Sequence, residues 1–299
     1  MTNAIETRGL TKDYGGRGLF DLDLDIRQGE VFGYLGPNGA GKTTTIRLLM
    51  GFVRATSGSA KVLGLDCWRQ AVEVKRHVGY LPGELPQFGG LRGAEVVAML
   101  EGMRGPVDQT RVADLATRLD LDLGMRFREY SRGNKQKLGI VLALAHRPKL
   151  LILDEPTGGL DPLNQQTFYE FVDEAKADGA TVFCSSHVLS EVERLCERIA
   201  IIRHGRLIEV ATMAGLHHLH YRRVDIEYAG PIPDAAIRAV PGVDSVDVDD
   251  GHLTCAVHGA FDPFLAAATQ GRIVNFTSNE PSLEEVFLAR YRDEDQEVA

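Results

Sequence analysis

The sequence predicts an α/β fold built on short parallel strands, followed by a smaller α+β module. Three observations carry this. A glycine-rich turn, Gly36 to Gly41, separates the apolar run Val31–Leu35 from a helix-forming run over 42–50. Two further apolar runs, 150–153 and 181–184, end in polar residues, which marks central parallel strands with functional groups at their C-terminal ends. From about residue 216 the element order is strand, helix, strand, strand, helix, strand, the ferredoxin-like pattern.

The elements follow in chain order. Phe20, Leu22, Leu24 and Ile26 alternate with Asp21, Asp23 and Asp25. A period of two with one wet face predicts an antiparallel strand, and with it an antiparallel β subdomain. Val96, Val97, Leu100 and Met103, then Val112, Leu115, Ala116 and Leu119, recur at three- and four-residue steps. They predict helices over 93–120, separated by Gly102, Gly105 and Pro106. Residues 140–145 continue a helix. The runs 199–202 and 207–210 flank His204-Gly205 as a hairpin. In the last module, strands are expected over 223–228, 243–248, 252–257 and 272–277, with helices over 234–239 and 264–269. Asp249-Asp250-Gly251 makes the hairpin turn. After Pro281, Ser282 and Glu285 form a candidate capping box for a helix over 282–291.

Of the 299 residues, 25% are charged and 44% hydrophobic, enough apolar content to build a core and to exclude long disorder. Net charge is −9, unevenly placed: residues 1–220 hold 27 basic and 27 acidic residues, residues 221–299 hold 6 and 15. That shift argues for a separate C-terminal module and against nucleic acid as its partner. Cys67, Cys184, Cys196 and Cys255 form no C-x-x-C pair, so reduced thiols of a cytosolic protein are expected. The run 140–145 falls far short of the ~20 residues that cross a bilayer. The opening MTNAIETRGLTKDY carries no apolar signal-peptide core. Any action at a membrane therefore needs another chain as anchor.

Gly36-Pro37-Asn38-Gly39-Ala40-Gly41-Lys42-Thr43, followed by Thr44, fits G-x-x-x-x-G-K-[ST] between a strand and a helix. Glycines let backbone N–H groups curl around a polyphosphate, and the helix N-terminus adds partial positive charge. Lys42 is placed for the β- and γ-phosphates of a nucleotide, and Thr43 for Mg²⁺. The apolar run 150–153 ends in Asp154-Glu155, odd for structure alone. Asp154 is expected to hold Mg²⁺, and Glu155 to orient and deprotonate an attacking water.

These residues are joined by Tyr130-Ser131-Arg132-Gly133-Asn134, Gly159-Leu160-Asp161 and Ser185-Ser186-His187. The order resembles that of the ABC-type ATPase subunits: Walker A, signature, Walker B, D-loop and H-loop. The resemblance spans residues 4 to about 215. It implies a P-loop NTPase core over 1–215 with a helical insertion over about 84–135, and a C-terminal accessory domain over 216–299. It implies ATP and Mg²⁺ as cofactors and a homodimer that sandwiches nucleotide. In that dimer Ser131 and Gly133 of one subunit bind the γ-phosphate held by the other. By the same carry-over His187 contacts the γ-phosphate and the water, Asp161 lies at the dimer seam, and Tyr14 stacks on adenine. The plainer alternatives are a core aromatic at Tyr14 and a satisfied strand-end histidine at His187.

Two departures stand out. The signature, commonly LSGGQ, is YSRGN here, a form similar to the ABC-2 type exporters of drugs and antibiotics. In Val78-Gly79-Tyr80-Leu81-Pro82, which resembles the run into the Q-loop, Gly83 stands where Gln is usual. Glu84 and Gln87 are the nearby side chains able to stand in as a Mg²⁺ or coupling contact; a surface-loop acid is the plainer reading of Glu84. Pro281-Ser282-Leu283-Glu284-Glu285-Val286-Phe287-Leu288 is similar to the ending of many such exporter ATPases. The run Leu216-His217-His218-Leu219-His220 reads as a linker with solvated histidines rather than a metal site, since no carboxylate or Cys adjoins it.

The resemblance implies an ATP-hydrolysing subunit on the inner, cytoplasmic face of the cell membrane, driving a separate permease that exports a small molecule. Contact with the permease is expected through the helical insertion and the segment around Gly83. Two alternatives compete: a soluble ABC ATPase acting on ribosomes or DNA, and a weakly hydrolysing regulator. Against the first stand a single cassette, no sustained heptads and no basic tract. Intact Glu155 and His187 stand against the second. A GTPase is disfavoured, because Asn134-Lys135-Gln136-Lys137 misses the last position of N-K-x-D.

Overall fold

The computed structural model describes residues 2–214 and 221–279. The chain divides at Thr212/Met213 into two compact units.

In the first unit, β1 (Asn3–Asp13), β2 (Gly18–Arg27), β4 (Ser57–Val62) and β5 (Leu65–Asp66) form an antiparallel sheet of order β2-β1-β4-β5. In β2 the alternation reads as expected: Leu22, Leu24 and Ile26 are buried, and the aspartates between them are exposed. The second sheet joins β3 (Val31–Leu35), β6 (Val78–Leu81), β7 (Leu150–Asp154), β8 (Thr181–Ser186), β9 (Arg198–Arg203) and β10 (Arg206–Thr212) in the order β10-β9-β3-β8-β7-β6. All neighbours are parallel except the β9–β10 hairpin. Every residue of β3, β7 and β8 is buried. A strand covered on both faces has no use for alternation, which is why these read as continuous apolar runs. Phe183 of β8 stacks on Phe32 and packs at a tilt against Tyr34, both on β3, and the Tyr34 hydroxyl lies 3.1 Å from that of Thr45.

Seven helices of the first unit are α1 (Lys42–Leu49), α2 (Ala71–His77), α3 (Gly93–Arg104), α4 (Gln109–Arg118), α5 (Arg132–Leu144), α6 (Pro162–Ala177) and α7 (Leu189–Leu195). Gly102 does not break α3, contrary to expectation. It sits inside the helix with open space around it, and the chain turns only at Gly105, whose φ of 106° lies outside the right-handed region. α5 passes beneath β6, where Gly139 makes room for Leu81: a Cβ at Gly139 would lie 2.5 Å from that side chain.

His146, just after α5, is half-buried and receives a bond of 2.7 Å from Arg104. Burial and the neighbouring guanidinium push its pKa down to about 4. The unfolded chain therefore binds a proton that the folded one refuses between pH 6.5 and 4. Stability should fall as pH drops through that window. In a series of thermal melts, His146→Gln is expected to flatten this part of the pH profile while keeping an acceptor for Arg104. An unchanged profile would contradict it.

In the second unit, β11 (Tyr221–Tyr228), β12 (Val243–Asp249), β13 (His252–His258) and β14 (Ile273–Asn279) pair antiparallel in the order β12-β13-β11-β14. Helices Asp234–Arg238 and Asp262–Ala268 supply Ile237 and Phe264 to a core with Val224, Ile226, Leu253, Cys255 and Val257. This is the ferredoxin-like topology expected. The histidine run 216–220 and the expected helix over 282–291 lie outside the described residues. Among the described residues the four cysteines are buried and unbridged, and no helix is long and apolar enough to cross a membrane.

Candidate functional site

Four parallel strands end at one edge of the second sheet: β3 runs into Gly36, β6 into Gly83, β7 into Glu155 and β8 into His187. In an open α/β sheet that edge, at the point where strand order reverses, is where ligands bind. A cavity of about 520 Å³ lies there. Tyr14, Pro37, Asn38, Gly39, Gly41, Lys42, Thr43, Thr44, Asp154, Glu155 and His187 line it, as do Gly83 and Glu84. A cavity of similar size, about 580 Å³, lies at the opposite, N-terminal end of the same strands beside His77, Lys149 and Thr181, away from this cluster.

The turn before α1 is built for close backbone approach. Gly39 and Gly41 have φ of 82° and 112°, a region L side chains avoid. A Cβ at Gly36 would lie 2.4 Å from the Ile202 carbonyl oxygen. Ala40 is buried under the turn and binds the Gly205 N–H through its carbonyl at 2.9 Å. Among the described residues, the N–H groups of Gly39, Gly41, Lys42, Thr43 and Thr44 donate to no protein acceptor. Orphan donors at a helix start, beside a buried ammonium, fit an anionic polyphosphate. Lys42 is 6% exposed; its Nζ donates to the Gly36 carbonyl at 2.6 Å and lies 3.2 Å from Glu155 Oε1.

Asp154 and Glu155 are consecutive, and regular strand geometry would send them to opposite faces. Glu155 has φ of 51°, so the chain leaves the strand there in a left-handed step. Both carboxylates reach the same cavity as a result. Asp154 is 3% exposed; Oδ2 accepts from the Thr43 hydroxyl at 3.0 Å and Oδ1 from Ser185 at 2.6 Å. Hydroxyl and carboxylate oxygens in contact are the hard donors Mg²⁺ prefers, so the set fits that cation. His187 Nδ1 lies 2.6 Å from Glu155 Oε2. Glu155 Oε1 is buried and has no hydrogen-bond partner among the described residues, only the ion pair with Lys42. A carboxylate so held, with a histidine and an ammonium beside it, can take a proton from a water in the cavity.

Tyr14 stands in the β1–β2 turn, 53% exposed, with Lys12 Nζ 5.1 Å from its ring centre. It is not a core aromatic. Gly36 and Ala40 shape the turn without lining the cavity. Ser131, Gly133 and Asp161 are not brought to it either. Ser131 caps α5, accepting from the Asn134 N–H at 3.1 Å. Asp161 caps α6, and the Asn164 N–H and carboxamide bonds hold its pKa below the usual value. Sequence reasoning missed Arg17, Arg132 and Gly158 on the cavity wall, and Ser185 on Asp154. For Ser185 a signal existed, a polar residue ending a buried strand.

The family model described as ABC transporter matches residues 19–158, and one described as ATP-binding protein DrrA1-3-like, C-terminal domain, matches residues 218–291. The chain is 38% identical over 214 residues to the bacitracin transport ATP-binding protein BcrA of Bacillus licheniformis, covering 70% of each chain. It is 33% identical over 306 residues to the daunorubicin/doxorubicin resistance ATP-binding protein DrrA of Streptomyces peucetius, covering 96% of this chain and 92% of that protein. Among solved structures, an ATP binding subunit of an ABC transporter superposes with a TM-score of 0.68 at 29% identity, over 72% of this chain and 92% of the other.

Proposed function

This chain belongs to the ABC transporter family of ATP-binding subunits, and on that footing we propose that it hydrolyses ATP to drive export of a small molecule through a separate ABC-2 type permease. The observation that carries the reading is the convergence of Lys42, Thr43, Asp154, Glu155 and His187 on one cavity at the C-terminal edge of the parallel sheet.

The proposed residue roles draw on this geometry and on the family resemblance. The free N–H groups of the turn and Lys42 take the phosphates, and Tyr14 takes the adenine at the exposed mouth. Thr43 and Asp154 would hold Mg²⁺, which would supply neutralisation of phosphate charge when bound. Glu155 accepts the proton of the attacking water, and His187 orients that carboxylate and contacts the γ-phosphate. Phosphate binding releases Lys42 from its ion pair with Glu155, which frees the carboxylate for the water. Ser131 and Gly133 act from a second copy of the chain in a nucleotide-sandwiched homodimer, with Asp161 at the seam. Residues 1–215 form the ATPase domain and 216–299 an accessory domain.

At the Q-loop position, a Cβ on Gly83 would lie 3.5 Å from Asp154 Oδ2. That is ordinary van der Waals contact with the carboxylate assigned to the cation, and both Gly83 and Glu84, next in the chain, line the cavity. The helical segment and the run around Gly83 are the surface offered to the permease. That contact places the chain on the cytoplasmic face of the membrane. The transport name of one relative and the drug-resistance name of the other favour this over a ribosome- or DNA-associated role. Tagged chain captured from native membranes is expected to bring down a multi-span membrane protein. Recovery of ribosomal proteins or DNA in its place would overturn the transport reading.

A further inference from the structure

The contact between Glu155 and His187 joins two loops that leave different strands. Behind the pair stands Glu191, in the first turn of α7. Its Oε1 accepts from the hydroxyl of Thr157, two residues after Glu155. Its Oε2 accepts from the hydroxyl of Ser186, the residue before His187, at 2.7 Å. Thr157 is 3% exposed and Ser186 fully buried. Ser186 Oγ also receives the Val188 N–H at 2.9 Å, so the His187 loop is pinned on both sides of the imidazole. Glu191 is not on the cavity wall.

An ionised carboxylate is acceptor-only, with two oxygens to share between two hydroxyls. Such charge-assisted bonds are stronger than neutral ones. Each of these hydroxyls belongs to a different catalytic loop. We propose that Glu191 is a positioning residue that brackets the loop after β7 to the loop after β8, and so sets the separation of Glu155 and His187. The proposal rests on the reading of Glu155 as the water's base. The phosphate and cation contacts are held by other bonds, Lys42 to the Gly36 carbonyl and Asp154 to Thr43 and Ser185. Loss of the bracket therefore falls on turnover and leaves nucleotide binding in place.

The test uses the full chain, with ATP turnover and binding of a fluorescent ATP analogue measured on Glu191→Ala, Glu191→Gln, Thr157→Val and Ser186→Ala. A misplacement of about 1 Å at a catalytic group costs on the order of 10²-fold, so Glu191→Ala should lower kcat about 10- to 100-fold. Analogue affinity should stay within about twofold, and Glu191→Gln, which keeps one acceptor oxygen, should recover part of the rate. Thr157→Val and Ser186→Ala should each slow the wild type yet cost nothing further in the Glu191→Ala background, because the contact they remove is already gone. If Glu191→Ala does not fold, the combination of Thr157→Val with Ser186→Ala carries the test, and should lose clearly less than the product of the two singles, since either loss alone opens the bracket; the full product overturns the proposal. Turnover by Glu191→Ala within about twofold of wild type, or full multiplication of its loss by Thr157→Val, overturns the proposal. Glu155→Gln separates the two failures. If it is inert while Glu191→Ala is normal, only the bracket falls. If Glu155→Gln itself turns over normally, the base assignment falls and the bracket with it.

Discussion

Glu155→Gln is expected to bind ATP, close into a dimer and stop. The substitution keeps the size of the side chain and its ability to hydrogen-bond, and removes the charge and the proton acceptor. Loss of a general base costs about 10²–10⁴ in rate. Binding should survive, because the phosphate contacts assigned to Lys42 and the turn N–H groups, and the cation contacts assigned to Thr43 and Asp154, are untouched. It should even strengthen, since Lys42 Nζ now lies 3.2 Å from a Glu155 oxygen and would no longer be shared with a carboxylate. Removing one negative charge per subunit from a site that faces phosphates lowers repulsion in the closed dimer as well. On size exclusion, wild-type chain should run as a monomer with or without ADP. Glu155→Gln with ATP at low Mg²⁺ should run as a dimer, and its hydrolysis should sit near background. Hydrolysis within about threefold of wild type would remove Glu155 as the base. A mutant that binds ATP yet never dimerises would show that the signature does not meet the Walker A of a second copy without the permease.

What the amino-acid order discloses of this fold depends on how local the physics is. β3, β7 and β8 are legible because burial on both faces leaves unbroken apolar runs. The turn before α1 is legible because positive φ at Gly39 and Gly41 demands glycine. β1 is not, although it is 11 residues long. Its register shifts at three points against β2, and each bulge resets the alternation. α2 and α7 are seven residues each, two turns, too short to display a period. α6 carries ordinary signals: Asp161 as cap, Pro162 in its first turn, and Phe168, Phe171, Val172 and Ala175 on one face. The site divides the same way. Lys42, Thr43, Asp154 and Glu155 are local motifs. Ser185 meets Asp154 only because β7 and β8 pair in that register, and Glu191 meets Thr157 and Ser186 only because α7 folds back across both loops. No spacing within one segment encodes either meeting.

Ser131→Arg and Lys42→Ala should each abolish turnover alone and restore it when mixed. Lys42→Ala deletes the buried ammonium that faces the phosphates, the kind of preorganised charge that hydrolysis relies on. Ser131→Arg leaves that chain's own phosphate turn intact. It removes the cap of α5, a loss of about 1 kcal/mol, and adds bulk where Gly133 already sits so close that a Cβ would lie 2.8 Å from the Gly159 oxygen. Ser131 does not line its own chain's cavity. With the variant folded, its effect on hydrolysis is therefore assigned to the nucleotide of another subunit, and the mixing experiment tests that assignment. In a mixed dimer, one site joins the two damaged elements. The other joins the intact phosphate turn of the Ser131→Arg chain to the intact signature of the Lys42→Ala chain. Free exchange at equal amounts makes about half of the dimers mixed, each with one whole site, so activity of about a quarter of wild type is the ceiling for independent sites. Steady-state ATP hydrolysis across a series of mixing ratios should rise to a maximum near equality. No rescue at any ratio, with both variants folded, would refute action between subunits. Ordinary turnover by Lys42→Ala alone would refute the phosphate-loop assignment itself.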